Sequence, residues 1–584
     1  MHGKRSFREP SPDSTVADLL IRAASDFPDR GLAIFDGRGR RYERRTYPEV
    51  LAAARQSAGR WAAFGVEAGD RVLVSLPTSW PMLEAWLGAS LRGAMPVALS
   101  PGAALGGGRS HIEKVSGLMK RLEARHGIVG DGFSRDADQL LQEAREASDD
   151  ESAILLHQAL GKAITVGRFQ ETSPLPYDAP KPSAEDTAFL QLTSGSTGLP
   201  RAVQIPHRSA LHNALANDRA IGFPHGAPTH QWADSMVSWL PLHHDMGLIG
   251  CLFLSIYAGL DLWLFQGTTF LARPRLWLDH LGQHGTSFAP APNFGYQLCL
   301  ERIGEKDRQG LDLSSWRDAM TGAEMVRPET IRDFCTAFEP YGFRPEVFRP
   351  CYGLAEGTLS VTFDQQGRGL RTLPLPDSTG EAGGGQEIAC VGSPIDGTEV
   401  KAVLPDGRQA EKGEIGEICV KGPSVFSGYW NDPEATAEGL IDGWLHTGDL
   451  GFFSSGELYI TGRLKDILII RGHNLMPHEI EWQAEAVVGG GGALRSGAFS
   501  VTRGGAGEEA VVVVETTEKD PEKLASMAGD IRRRVGSSLS LVLSDIGFVR
   551  RGKIPKTTSG KVQRRQLKAL YRSGGLDLIG RFDA

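Results

Sequence analysis

No two cysteines stand in a C-x-x-C pair: Cys251, Cys299, Cys335, Cys351, Cys390 and Cys419 are widely scattered. That spacing argues against a zinc site and against a disulfide framework. Surplus positive charge is missing too. The 63 Lys and Arg stand against 71 Asp and Glu, a net charge of −8, so nothing draws this chain to nucleic acid. The triplet Arg532-Arg533-Arg534 reads as the solvated face of a helix. Met1 to Ser14 is polar and lacks the apolar core of a secretory signal, which makes a reducing, cytoplasmic setting the expectation. No repeat of 20–50 residues is present, so a solenoid is excluded. One run, Gly247 to Phe265, approaches the length of a membrane span. Gly259 and Asp261 interrupt it, and a buried helix followed by a buried strand is expected, with no membrane span. Two familiar loops are also absent. There is no G-x-x-x-x-G-K-[ST], and no G-x-S-x-G, because Ser194 stands where the first glycine would be.

What is present is a long, mixed-composition chain. Its 584 residues, 41% hydrophobic and 23% charged, exceed one ordinary core and predict several folded units. Thr15-x-x-Asp18 predicts a helix cap. Ala33 to Phe35 and Arg41-Tyr42 flank the turn Asp36-Gly37-Arg38-Gly39, a hairpin signal. Helical patterns over Tyr47 to Phe64 and Leu83 to Leu91 alternate with the apolar strands Arg71 to Ser75 and Pro96 to Leu99. This rhythm predicts an α/β fold with parallel sheets covered by helices. Ala103 to Gly108 reads as a mobile loop, and Gly380 to Gly385 as a break within a surface insertion. A boundary is expected at Gly462 to Asp466. The tail beyond it holds a strand over Ala510 to Val514, a helix around Pro521 to Val535, and a turn at Gly489 to Gly492.

Chemistry concentrates at two distant points. After the apolar strand Ala188 to Leu192 comes a hydroxyl- and glycine-rich loop, Thr193-Ser194-Gly195-Ser196-Thr197-Gly198. Glycines let backbone N–H groups approach an anion, and hydroxyls add neutral donors. Alone, the loop reads equally well as a flexible turn. Far downstream stands Lys561, in Ile554-Pro555-Lys556-Thr557-Thr558-Ser559-Gly560-Lys561. A phosphate-type loop with a distant lysine suits an enzyme that joins a carboxylic acid to AMP.

The wider pattern resembles the adenylate-forming superfamily of acyl-CoA synthetases, peptide-synthetase adenylation domains and luciferases. The motifs run in order: the phosphate loop, Pro241-Leu242-His243-His244-Asp245, Tyr352-Gly353-Leu354-Ala355-Glu356, Trp444 to Asp449, Gly462-Arg463, and Gly560-Lys561. The resemblance implies a large N-terminal domain of sheets and helices, residues 1–464, and a small mobile C-terminal α+β lid, residues 465–584, pivoting near Lys465. It implies that ATP binds through Thr193 to Gly198, with Tyr352 and Gly353 at the adenine and the backbone of Gly322-Ala323-Glu324 opposite. Asp449 and Arg463 are expected at the ribose, and Glu356 is the expected Mg²⁺ ligand. Lys561 is expected to bridge the substrate carboxylate and the α phosphate, with His244 bordering the carboxylate and gating the acyl tunnel.

Within the superfamily the chain is similar to the fatty acyl-AMP ligases. The likeness rests on His244 to Gly250, Ala291 to Tyr296, Leu313 to Arg317 and Pro350 to Glu356, with Ala355 where many CoA ligases carry threonine. Those enzymes carry an insertion after the position of Glu356 that packs between domains and hinders lid rotation; here it is shorter and more Gly-rich. Arg201-Ala202 replaces the usual Lys-Gly but keeps the charge. The implied function is ATP-dependent activation of a fatty acid to acyl-AMP, then transfer to an acyl carrier protein. A fatty acyl-CoA ligase and an amino-acid-activating enzyme are the alternatives, the latter because Asp245 lies near where such enzymes bind the substrate ammonium.

Overall fold

Local signals place the first elements. In the computed structural model, Thr15 and Asp18 cap the helix Val16–Asp26 reciprocally: the Asp18 N–H reaches Thr15 Oγ1 at 3.3 Å and the Thr15 N–H reaches Asp18 Oδ2 at 2.8 Å. Gly31–Phe35 pairs antiparallel with Tyr42–Thr46, the expected hairpin, and the helix Tyr47–Ala63 follows. The structure describes residues 9–11, 13–102, 108–146, 150–178, 182–193, 200–223, 233–376, 382–470, 473–489, 495–502, 508–539, 541–556 and 561–583. The expected loop from Ala103 falls outside these residues as far as 107, and Gly108 opens the helix Gly108–Arg121.

Two sheets carry most of the first half. One has seven strands in the order Gly428–Tyr429, Ala202–Pro206, Thr187–Leu192, Met95–Ala98, Arg71–Ser75, His126–Val129, Ala163–Thr165. Its last five strands run parallel, as their apolar character requires when helices cover both faces. The second sheet is ordered Thr286–Phe288, Ala233–Ser238, Asp261–Leu264, Gly31–Phe35, Tyr42–Thr46.

The long apolar run packs in the main core and ends as a strand of the second sheet. It forms Asp245–Gly247, a π-helical turn Leu248–Phe253, the helix Leu254–Ala258 and the strand Asp261–Leu264. Gly247 is required there, because a Cβ would stand 2.3 Å from the Pro241 carbonyl. Asp261, the charge inside the run, binds Arg30 at 2.9 Å and Arg44 at 2.8 Å. Among the described residues no helix is long and apolar enough to cross a membrane.

A third sheet, Ala319–Thr321, Phe348–Gly353, Ser360–Phe363 and Ser393–Pro394, holds the Tyr352 motif. A fourth is antiparallel and centred on Trp444–Ser454, which pairs with Gly416–Lys421 and Glu457–Arg463. The Gly380 to Gly385 tract departs from expectation. From Ala382 it belongs to the strand Ala382–Ala389, paired with Thr372–Pro376; Ala382 stands opposite Pro376 and Glu387 opposite Pro374, and the register shifts over the glycines between them.

Beyond residue 467 the apolar contacts form separate cores. Ser496–Thr502, Glu508–Thr516, Leu543–Arg550 and Leu578–Asp583 make one sheet. Ala510, Val512 and Val514 face the helices Pro477–Val488 and Pro521–Leu539, while Val511 and Val513 pack with Leu567 of the helix Arg564–Ser573. Covered on both faces, the strand has no polar side to show. Arg532 is a correction. It is half-buried and bonds the Phe582 carbonyl at 2.5 Å, its stem serving packing instead of a solvated face. Gly489 ends the helix Pro477–Val488 at φ 70°, and the rest of that expected turn lies outside the described residues.

Candidate active site

The site gathers where strand ends and loops meet. Thr193 ends the strand Thr187–Leu192, and its N–H bonds the Arg201 carbonyl at 2.9 Å, closing the base of the phosphate-type loop. Ser194, Gly195, Ser196, Thr197 and Gly198 lie outside the described residues. Arg201 packs over the Tyr429 ring at 5.1 Å and faces Asp432 at 3.6 Å. Tyr429 in turn donates its hydroxyl to Glu356 Oε1 at 2.7 Å. Glu356 sits in the short turn Ala355–Gly357, and burial raises its carboxyl above the usual range.

Tyr352 is on the strand Phe348–Gly353, 8% exposed, with its hydroxyl donated to Asp449 Oδ2 at 2.8 Å. Burial, then the Asp449 charge, pushes the phenol far up. The other oxygen, Asp449 Oδ1, meets Arg463 Nε at 3.0 Å. These two residues are direct partners across the antiparallel pair Trp444–Ser454 and Glu457–Arg463, so the sheet register sets their spacing. Gly322, Ala323 and Glu324 follow the strand Ala319–Thr321. Ala323 holds a left-handed backbone at φ 67°, and Glu324 Oε1 accepts the Phe294 N–H at 2.6 Å. At Gly353 a Cβ would stand 1.8 Å from the Leu359 carbonyl, so only glycine fits.

Lys561 reaches this centre from the C-terminal segment. It lines a narrow cavity of about 60 Å³ with His244, Glu324, Ala323, Trp239, Met246 and Phe294. Burial and then Arg463 lower its titration below the ordinary lysine value, opposed by Asp245, Glu324 and Asp449. His244 Nδ1 lies 3.0 Å from Asp245 Oδ1, which also accepts the Met246 N–H at 2.7 Å. Burial pushes Asp245 up, but His244, Lys561 and that N–H together hold it below the carboxylate range. The cavity wall is aromatic: Trp239 stacks on Phe270 at 3.8 Å and meets the Phe294 edge at 5.4 Å. An apolar pocket that ends at a lysine, a histidine and the Glu324 carboxylate suits an acid with a hydrocarbon body.

A profile of the AMP-binding enzyme family matches residues 20–430. The chain belongs to the AMP-binding enzymes. The likeness extends to the fatty acyl-AMP ligase branch. A structure from studies of fatty acyl-adenylate ligases from E. coli and L. pneumophila matches with TM-score 0.83 at 30% identity, covering 96% of this chain and 98% of the other. The medium-chain-fatty-acid–[acyl-carrier-protein] ligase JamA of Moorena producens is 32% identical over 88% of this chain and 87% of its own. A Caulobacter vibrioides protein, assigned by name only as an acyl-CoA synthetase, is 31% identical over 96% of this chain and 98% of its own. The present AMP-binding enzyme is an ATP-dependent adenylate-forming ligase.

Three parts of this AMP-binding enzyme escaped the sequence motifs. Tyr429, which holds Glu356, sits in Gly428-Tyr429-Trp430 with no signature of its own. Arg327 pairs with Glu485 of the helix Pro477–Val488 at 2.7 Å and covers the Trp482 ring at 5.0 Å, tying the C-terminal segment to the site. Glu515 is fully buried and accepts the N–H groups of Gly552 and Ile554 at 3.0 and 3.2 Å, with Lys556 Nζ at 3.1 Å. It anchors the segment that leads to Lys561. An acid ending the apolar run Ala510 to Val514 was the available signal.

Proposed function

We propose that this enzyme joins a fatty or related carboxylic acid to AMP, releases pyrophosphate, and passes the acyl group to the phosphopantetheine thiol of a carrier protein. The observation that carries the reading is Lys561 at the polar end of an apolar cavity, beside the Tyr352–Asp449–Arg463 chain. A carboxylate is a poor electrophile because its leaving group would be oxide. Attack of its oxygen on the α phosphorus forms one O–P bond and breaks the bond to the β-phosphate oxygen, leaving a mixed anhydride whose leaving group is AMP. Lys561 neutralises the carboxylate and α phosphate as they approach in line. Asp449 and Arg463 take the ribose, Tyr352, Gly353 and Gly322 to Glu324 frame the adenine, and Thr193 to Gly198 hold the outer phosphates. Asp245 orients His244 beside the substrate carboxylate.

Glu356 fits a Mg²⁺ ligand: it is a hard anionic oxygen donor, fixed through one oxygen by Tyr429. The ion would supply charge neutralisation on the phosphates. Residues 1–464 are assigned as the adenylation core and 465–584 as the lid, in a cytoplasmic enzyme whose six cysteines are free thiols.

Support for a carrier-protein acceptor comes from the insertion. Its strand Ala382–Ala389 binds the helix Pro328–Phe338 through Arg332–Glu387 at 2.6 Å and also touches the helix Pro521–Leu539 of the lid. Rotation of the lid must break these contacts and the Arg327–Glu485 pair, which makes a second lid orientation rare. The relative JamA, named for an acyl-carrier-protein acceptor, points the same way. An acyl-CoA ligase is the second reading, favoured by the name of the Caulobacter relative. An amino-acid substrate is disfavoured, since Asp245 is already matched by His244 and Lys561. Pyrophosphate release across a panel of fatty, aromatic and amino acids tests the proposal. Release with fatty acids supports it; release only with amino acids, or with none, overturns it.

A further inference from the structure

Among the described residues, two groups of metal-type side chains lie on or beside the sheet centred on Trp444–Ser454, and they differ in the cation that faces them. In the first, Asp364, Cys390 and Glu457 surround the Arg371 guanidinium, whose Nη2 lies 2.7 Å from Asp364 Oδ1, 3.1 Å from Cys390 Sγ and 2.8 Å from Glu457 Oε1. A fixed cation fills that group. In the second, Glu417, Cys419 and His446, no arginine or lysine of the described residues is paired with the carboxylate. Lys401, across the strand from Cys419, instead lays its ammonium over the Trp444 ring at 4.0 Å.

Strand geometry makes the second group converge. Cys419 and His446 are direct partners between Gly416–Lys421 and Trp444–Ser454, and Glu417, two residues before Cys419, shares their face. His446 Nδ1 lies 2.8 Å from Glu417 Oε2 and 3.5 Å from Cys419 Sγ, and the three atoms lie within 4.8 Å of one another.

We propose that Glu417 Oε2, Cys419 Sγ and His446 Nδ1 form a binding site for a thiophilic divalent transition ion, Zn²⁺ above all, with water as the fourth ligand. Thiolate, imidazole and carboxylate are the zinc donor set. At Zn–S near 2.3 Å and Zn–N near 2.0 Å, a tetrahedral ion needs N and S about 3.5 Å apart and N and O about 3.3 Å apart. The Cys419–His446 pair already has that spacing, and the His446–Glu417 pair must open by roughly 0.5 Å to match it. Outer support is in place, since Glu417 Oε1 accepts the Gly448 N–H at 3.0 Å. An entry path exists as well, because the His446 and Glu417 side chains are 24% and 21% exposed, with Cys419 buried behind them. On binding, the S–H bond breaks, the thiolate pair goes to the metal and the proton to solvent. The proton that His446 Nδ1 donates to Glu417 leaves that nitrogen, and the neutral ring carries it on Nε2 instead.

The site adjoins the nucleotide machinery. Thr447 Oγ1 donates to the Ile418 carbonyl at 2.6 Å and accepts the Asp449 N–H at 3.1 Å. An ion holding Glu417 and His446 together therefore stiffens the segment that presents Asp449. None of this rests on which acid is activated.

The test uses the full-length, metal-free enzyme titrated with Co²⁺ as a spectroscopic probe, then with Zn²⁺ in competition. The expected result is a thiolate-to-cobalt charge-transfer band that saturates at one ion per chain, releases a proton, and is erased by Zn²⁺. Cys419→Ser should abolish the band and weaken Zn²⁺ binding by more than about 100-fold, exceeding the loss of an outer partner. Cys390→Ser should leave both intact. His446→Asn keeps every thiol and should also weaken binding, which covers a Cys419→Ser variant that fails to fold. No band in the wild type, or a band that persists in either Cys419→Ser or His446→Asn, would overturn the proposal.

Discussion

Lys561→Ala removes the side chain that, among the described residues, the C-terminal segment contributes to the cavity lined by His244, Glu324 and Trp239. The ammonium is buried, and Asp245, Glu324 and Asp449 each act on it. The direct contacts of the groups assigned to ribose stay in place, since Tyr352–Asp449 at 2.8 Å and Asp449–Arg463 at 3.0 Å do not pass through it. Removing one preorganised contact aimed at developing charge costs roughly 10²–10³ in rate, or ~2.7–4 kcal/mol. The expected result is therefore a loss of that size in kcat for pyrophosphate exchange into ATP, with KM for ATP little changed. Lys561→Arg keeps the charge but not the compact shape and should recover only part of the rate. Because burial lowers the titration of Lys561 from 10.5, its charge is lost as pH rises through a value below that of a free lysine. The alkaline limb of kcat/KM in the wild type should thus fall below 10.5 and disappear in the alanine variant. Near-normal exchange by Lys561→Ala would refute the assignment.

Asp449→Ala deletes a ground-state contact and leaves the Tyr352 hydroxyl and Arg463 without their shared partner, so KM for ATP should rise along with a fall in kcat; an unchanged KM would reduce Asp449 to a turn residue. Glu515→Ala removes the buried acceptor of the Gly552 and Ile554 N–H groups and of the half-buried Lys556, and should cost ~1–3 kcal/mol of stability together with kcat, read by thermal unfolding and exchange; normal stability would contradict the anchor role. Arg327→Ala breaks the pair with Glu485 and should raise acyl transfer to free CoA, followed by mass spectrometry with CoA or a holo carrier protein; rapid acyl-CoA formation by the wild type would overturn the carrier assignment. His243, His280 and His478 are held neutral by burial down to about 3, and His207 down to about 4. The unfolded chain takes up these protons below ~6.5 and the folded chain does not, so each histidine removes ~1.4 kcal/mol per pH unit as pH falls through that window. Glu301, raised to about 7, and Asp318, raised to about 6, act in the opposite sense. Four histidines against two acids leave a net loss of stability from pH 6 to pH 5, visible as a falling thermal midpoint; His478→Gln should flatten it, and an unaltered slope would refute that contribution.

Elements with short-range causes were legible in the sequence. The Thr15–Asp18 cap, the Asp36 to Gly39 hairpin and the Ala510 to Val514 strand each follow from residues a few positions apart. So did the motif residues, whose order carried the resemblance. What the sequence hid were partners made by distant folding. Nothing near Tyr429 announces its bond to Glu356, 73 residues away, and nothing near Arg327 announces Glu485. The Gly380 to Gly385 tract misled because glycine signals a break, whereas the residues flanking Gly383 to Gly385 find partners in Thr372–Pro376, Ala382 opposite Pro376 and Glu387 opposite Pro374. Arg532 misled in the same manner, as a helix face is solvated only where no strand lies beside it.

The central claim, attack of a carboxylate on the α phosphorus, is tested most directly by isotope transfer. A fatty acid labelled with ¹⁸O at both carboxylate oxygens is incubated with enzyme, ATP and a holo carrier protein, and the released AMP is examined by mass spectrometry. The account requires one labelled oxygen in AMP, the former bridge of the acyl-adenylate, in step with acyl-carrier formation. Unlabelled AMP alongside acyl transfer would contradict it.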